Sequence, residues 1–136
     1  MKKILSLITA ASLSVLLASA HILAASAPVP DATKSVSGGG VTVKVTYLEQ
    51  TEHESRFLVA LDTHSVNLET YDFKSLALIR DDTGMSMPPT GVVNKGGGHH
   101  REIVVTFARP SNDRKWLEVV IKDVGGVKER VFRWDR

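Results

Sequence analysis

Val41-Thr42-Val43-Lys44-Val45-Thr46-Tyr47 decides how this chain folds. Its apolar residues alternate with Thr42, Lys44 and Thr46. That period of two puts the large side chains on one face of an extended strand and the polar ones on the other. After a polar turn at 50–54, Phe57, Val59 and Leu61 repeat the pattern. Ile103, Val105 and Phe107 take it up again, and so do Leu117, Val119 and Ile121 beyond a polar loop at 108–115. A chain with this recurrence builds sheets, each with one face in a core and one in water.

Between these segments the sequence supplies connectors. Val66 to Ser75 reads as helical or irregular, and Leu76 to Arg80 as a third strand. Asp81-Asp82-Thr83-Gly84 is a tight-turn sequence in which Gly84 can take a positive φ, folding Met85 to Pro88 back as a short edge strand. Gly91 to His100 reads as a glycine-rich loop, and Asp123-Val124-Gly125-Gly126 turns the chain into a last strand, Val127 to Trp134. Seven short strands with turn signals at regular spacing predict an all-β domain: a single antiparallel immunoglobulin-like sandwich, with a small barrel as the second choice. Helix is confined to the N-terminal signal and a turn or two near 66–75.

Upstream of Val41, residues 28–40 contain two prolines, three consecutive glycines and little to bury, which predicts a flexible linker. Residues 1–27 have the organisation of a signal peptide: Lys2 and Lys3, then an uncharged run from Ile4, then small-x-small sites at Ala18-Ser19-Ala20 and Ala25-Ser26-Ala27. Cleavage is expected after Ala27, with Ala20 as the alternative site. An uncleaved anchor competes with this, because Ile4 to Ala27 is long enough to cross roughly 30 Å of hydrocarbon. The chain has no cysteine, so lipid attachment to cysteine, disulfides and thiolate chemistry are all excluded. The expected layout is signal 1–27, linker 28–40 and sandwich 41–136, with the domain in the periplasm or secreted and no membrane span left after cleavage.

Charge changes meaning once the signal is removed. The full chain carries 17 Lys and Arg against 15 Asp and Glu; loss of Lys2 and Lys3 leaves it formally neutral. A nucleic-acid partner is therefore not expected, since phosphate recognition needs a concentrated basic surface.

Chemistry concentrates in two short segments, Asp62-Thr63-His64-Ser65 and Gly96-Gly97-Gly98-His99-His100-Arg101. The first lies where the second predicted strand ends and the second where the fifth begins, positions that can share one pole of a sandwich. Neutral imidazole is the commonest metal ligand. His64, His99 and His100, with Asp62 as a fourth or supporting group, suit copper or zinc. The alternative is structural: one histidine turned to water, one packed inward, and Asp62 bonded to loop backbone. Met85 and Met87 share a strand face and would suit copper(I), or simply fill gaps in the core.

Enzymatic readings have less to stand on. Ser65 follows His64 directly, so the two point apart in extended chain, and no Gly-x-Ser-x-Gly elbow exists. Asp81 and Asp82 belong to turn chemistry. Arg101, Arg130 and Arg133 form a generic candidate anion site, and Trp116 with Trp134 a generic sugar platform. Trp134 shares its strand phase with Phe132 and reads as core, whereas Trp116 is out of phase with Leu117 and reads as exposed.

In Asp62-Thr63-His64-Ser65, Gly96-Gly97-Gly98-His99-His100-Arg101 and Val124-Gly125-Gly126-Val127-Lys128-Glu129-Arg130-Val131-Phe132-Arg133-Trp134, the chain resembles a family of small exported bacterial β-sandwich proteins with no assigned activity. The likeness runs from about Val41 to Trp134. It implies a β-sandwich and an extracytoplasmic location, and it draws attention to His64, His99 and His100; Met85 and Met87 lie outside its pattern. The expected function is an exported binding module coordinating copper or zinc. A structural or protein-interaction domain is the alternative, and an exported hydrolase the third reading.

Overall fold

The computed structural model describes residues 31–136; the signal-peptide reading and the prolines of the linker lie outside them. Nine strands and one short helix follow in order: β1 (Thr33–Gly38), β2 (Val41–Gln50), β3 (Glu54–Thr63), α1 (Phe73–Leu76), β4 (Ala77–Asp81), β5 (Ser86–Met87), β6 (Gly91–Asn94), β7 (His100–Ala108), β8 (Trp116–Val124) and β9 (Val127–Asp135). All pairings are antiparallel, in two sheets ordered β1-β2-β3-β7-β6 and β5-β4-β8-β9. Without β1, this is the A-B-E-D and C′-C-F-G order of the immunoglobulin-like sandwich. Among the described residues no helix is long and apolar enough to cross a membrane.

Two expectations need correction. Thr33–Gly38, assigned to the flexible linker, is a strand paired along its whole length with β2, so the domain begins before Val41. Its backbone bonds are reinforced outside by hydroxyl contacts from Thr33 to Thr46 (2.9 Å) and from Ser37 to Thr42 (2.8 Å). Gly39 and Gly40, with φ of 59° and 76°, close the tight hairpin that joins the two strands. Gly91–Asn94, assigned to the glycine-rich loop, is also a strand, because Val92 and Val93 pair with Val105 and Val104 of β7. Nine strands therefore stand where seven were expected.

The alternating residues face one another across the sandwich. Val41, Val43 and Val45 of β2, Phe57, Val59 and Leu61 of β3, and Ile103, Val105 and Phe107 of β7 pack onto Ile79, Leu117, Val119, Ile121 and Phe132 of the other sheet. Each such side chain withdrawn from water contributes about 1.5–3 kcal/mol. At one pole Tyr47 stacks on Phe57 with centroids 4.6 Å apart, and Trp134 leans on both at 5.9 and 5.3 Å. Trp134 is thus a core residue.

The turn after β4 forms as its sequence implies. Thr83 donates to Asp81 from both its backbone N–H (2.9 Å) and its hydroxyl (2.6 Å), and Gly84 adopts φ 82°. Burial pushes the Asp81 carboxyl up, but the Thr83 bonds and the nearby Arg114 guanidinium outweigh it and hold the group below its ordinary value. Of the segment 66–75 only its end is helical: Asp72 caps α1 by accepting from the Lys74 N–H at 3.0 Å.

Candidate functional site

The pole opposite the aromatic cluster carries the histidines. Asp62 near the end of β3 lies directly across from His100 at the start of β7, and the Thr63 N–H donates to the His99 carbonyl at 3.1 Å. The backbone segments bearing His64, His99 and His100 are therefore brought to one end of one sheet. Their side chains do not converge: among the described residues no group of three or more His, Asp or Glu is arranged to hold a metal. What is assembled is one pair, His100 Nδ1 against Asp62 Oδ1. His64 and His99 are exposed in the adjoining loops. The expectation that one of the paired histidines packs inward is not met, since Gly98, at φ 79°, turns the chain just before the strand and both rings stay in solvent.

The pair has a definite chemistry. An ionised carboxylate can only accept, so Nδ1 carries the proton and Nε2 keeps its lone pair whenever the ring is neutral. A carboxylate holding one nitrogen while the other is offered outward is the arrangement that orients histidine as a ligand. The His100 side chain is 78% exposed, so as a surface ion pair it adds little stability.

Beside the pair, a shallow groove of about 370 Å³ runs over the outer face of the five-stranded sheet. Ala60 forms its floor, with Lys44 on β2 and Glu102 on β7 in register on either side. The sequence hid this feature, because only the register brings residues 44, 60 and 102 into one row.

Beneath the histidines the pole is tightly fastened. Arg101 points inward, in phase with Ile103 and Val105, and donates to the carbonyls of Leu68 (2.5 Å) and Tyr71 (2.8 Å) and to Asn94 Oδ1 (2.8 Å). Arg130, in phase with Phe132 and Trp134, donates to the carbonyls of Val124 and Gly38, both at 2.6 Å, and burial pushes its guanidinium pKa down. Neither is free to bind an anion, and extending each strand's inward phase by one step would have placed both inside.

No known protein family, curated protein or solved structure matches the chain.

The other candidates lie elsewhere. The Met-Ser-Met segment occupies the edge of the four-stranded sheet, where Met87 packs against the core and Met85 is exposed, while the histidines belong to the five-stranded sheet. Trp116 is half-buried rather than open: the Arg133 guanidinium covers its ring at 4.0 Å. Ser65 has its backbone N–H bonded to the Thr63 hydroxyl at 3.2 Å, an arrangement that serves the turn.

Proposed function

We propose that this chain is an extracytoplasmic binding module whose ligand-facing element is His100, oriented by Asp62, and whose ligand is a copper or zinc ion. The Asp62–His100 pair carries the reading, because it fixes which imidazole nitrogen is presented outward. His64 and His99 are the additional donors, exposed in the loops flanking the pair, and glycines 96–98 give the second loop freedom to adjust. The fastened backbone beneath keeps the ligand-bearing strand ends in place.

Melting the protein against increasing zinc and copper(II) tests this. A ligand for the native state at a hundredfold excess over its Kd adds about 2.7 kcal/mol, or about 10–20 °C in a domain of this size. His100→Ala should abolish the shift, and Asp62→Asn should weaken affinity about 10- to 100-fold. If neither metal shifts the transition, the metal reading falls; if the shift survives in His100→Ala, the assignment of His100 falls. The groove itself favours a second reading, a protein-interaction domain, in which His100→Ala changes stability by the same small amount with or without metal.

A further inference from the structure

From the histidine pole, three cross-strand rows lead down the outer face of the five-stranded sheet toward Arg56 and Thr106. Thr42, Asp62 and His100 form the first, Lys44, Ala60 and Glu102 the second, and Thr46, Leu58 and Val104 the third. In the middle row a cation and an anion flank the smallest side chain on the face, with β3 between them. Two inter-strand spacings of about 4.8 Å separate their backbones. Lys44 and Glu102 are exposed, and neither takes part in an ion pair among the described residues. Lys95 lies on the far side of Glu102 and donates its backbone N–H to the Glu102 carbonyl at 2.7 Å, yet forms no ion pair among those residues either. Val93, next to Val104 on the adjoining strand, is 57% exposed.

We propose that this face is a homodimer interface, on which a second copy of the chain packs face to face about a two-fold axis parallel to β3, Lys44 of each copy meeting Glu102 of the other. The charges choose both the partner and the axis. Rotation by 180° about a line along β3 exchanges the positions of β2 and β7 while keeping each row at its own height. Lys44 then faces Glu102 of the partner copy twice over, and Ala60 faces Ala60. The other in-plane axis, perpendicular to the strands, would set Lys44 against Lys44 and Glu102 against Glu102. An isologous contact of this kind is closed, so it ends at two copies.

The apolar row follows the same operation. Leu58 meets its own copy and exposed Val93 loses water against Thr33 of the opposing β1, while Val104 is already buried within its own chain. Two like-charged juxtapositions arise along β3, Asp62 against Asp62 and Arg56 against Arg56; each carboxylate already accepts from its own His100, and each guanidinium is already paired with its own Glu49. The face is five strands wide, roughly 20 Å, which places the contact toward the small end of specific interfaces. The association is therefore weak and concentration-dependent. This inference goes beyond the metal reading and does not depend on it, because Lys44 and Glu102 are separate from the proposed ligands.

Sedimentation velocity of the mature protein from low- to high-micromolar concentration is the test. Wild type shows a monomer–dimer equilibrium. Lys44→Glu and Glu102→Lys, both at exposed positions and with far-UV circular dichroism unchanged, each weaken it more than about tenfold by setting like charges together. An equimolar mixture of the two variants forms a heterodimer, since the new glutamate at 44 faces the new lysine at 102 while native Lys44 faces native Glu102. The double variant, K44E/E102K, self-associates like wild type. A wild type that stays monomeric throughout overturns the proposal, and so do single variants that dimerise undiminished or a mixture that remains monomeric.

Discussion

Replacing Arg101 probes what holds the histidine pole in place. Its guanidinium makes three hydrogen bonds, to two backbone carbonyls and the Asn94 amide oxygen, and lies 5.5 Å from the centre of the Phe73 ring. Bonds from a charged donor contribute about 1.5–3 kcal/mol each, or about 4.5–9 kcal/mol gross. Desolvation of a side chain that is only 8% exposed takes back several kcal/mol. Arg101→Met keeps the aliphatic packing and leaves the Leu68 and Tyr71 carbonyls without their donor. The net loss is about 2–4 kcal/mol, which lowers the melting temperature by about 10–30 °C.

Arg101→Lys is the sharper variant. It keeps the charge and loses the planar fork that serves three acceptors at once. A buried cation with fewer bonds is worse than a neutral thioether, so Arg101→Lys should be at least as destabilised as Arg101→Met. Urea unfolding of both variants measures this, and amide exchange at residues 71–73 should accelerate in both. A lysine variant within about 0.5 kcal/mol of wild type would refute the argument, because charge alone would then suffice.

Two further outcomes follow from the turns. Gly39→Ala places a Cβ 1.8 Å from the Gly125 carbonyl oxygen at a φ of 59°, and should cost more than about 2 kcal/mol; Gly126→Ala, at φ 71° with nothing within 4 Å, carries only the backbone strain of about 1–2 kcal/mol. Equal melting temperatures for these two variants would contradict the close contact between the hairpins. The lowered pKa of Asp81 gives a stability contribution that is fully present above its unfolded value of about 3.9 and is lost as pH falls through the lower folded value. Urea midpoints at neutral and strongly acidic pH should therefore differ less in Asp81→Asn than in wild type.

Strands that bury a complete apolar row, as β2, β3, β7 and β8 do, were legible because alternation encodes burial directly. β1 was not, since Thr33, Ser35 and Ser37 face water and inward-facing Lys34, Val36 and Gly38 make no apolar row; its stability comes from backbone bonds and hydroxyl ladders. β6 was hidden by brevity and flanking glycines. Asp62 and His100 emerged from residue type and their place at strand ends, and the structure pairs them. The Lys44–Ala60–Glu102 row could not emerge, because cross-strand register depends on hairpin length and on the slip between Tyr47 and Glu49.

The interlocked glycine hairpins also fix which end of the domain each terminal strand reaches. Gly39 lies against Gly125 at the histidine pole, so β1 runs toward that pole and β9 runs away from it. Ala32, whose carbonyl accepts from Tyr47, and Arg136, whose N–H donates to Lys115, are both at the far, aromatic pole. Both described ends of the chain therefore leave the domain at its foot. The histidines lie at the opposite tip, and the broad face bearing Lys44 and Glu102 runs along the flank between the two ends.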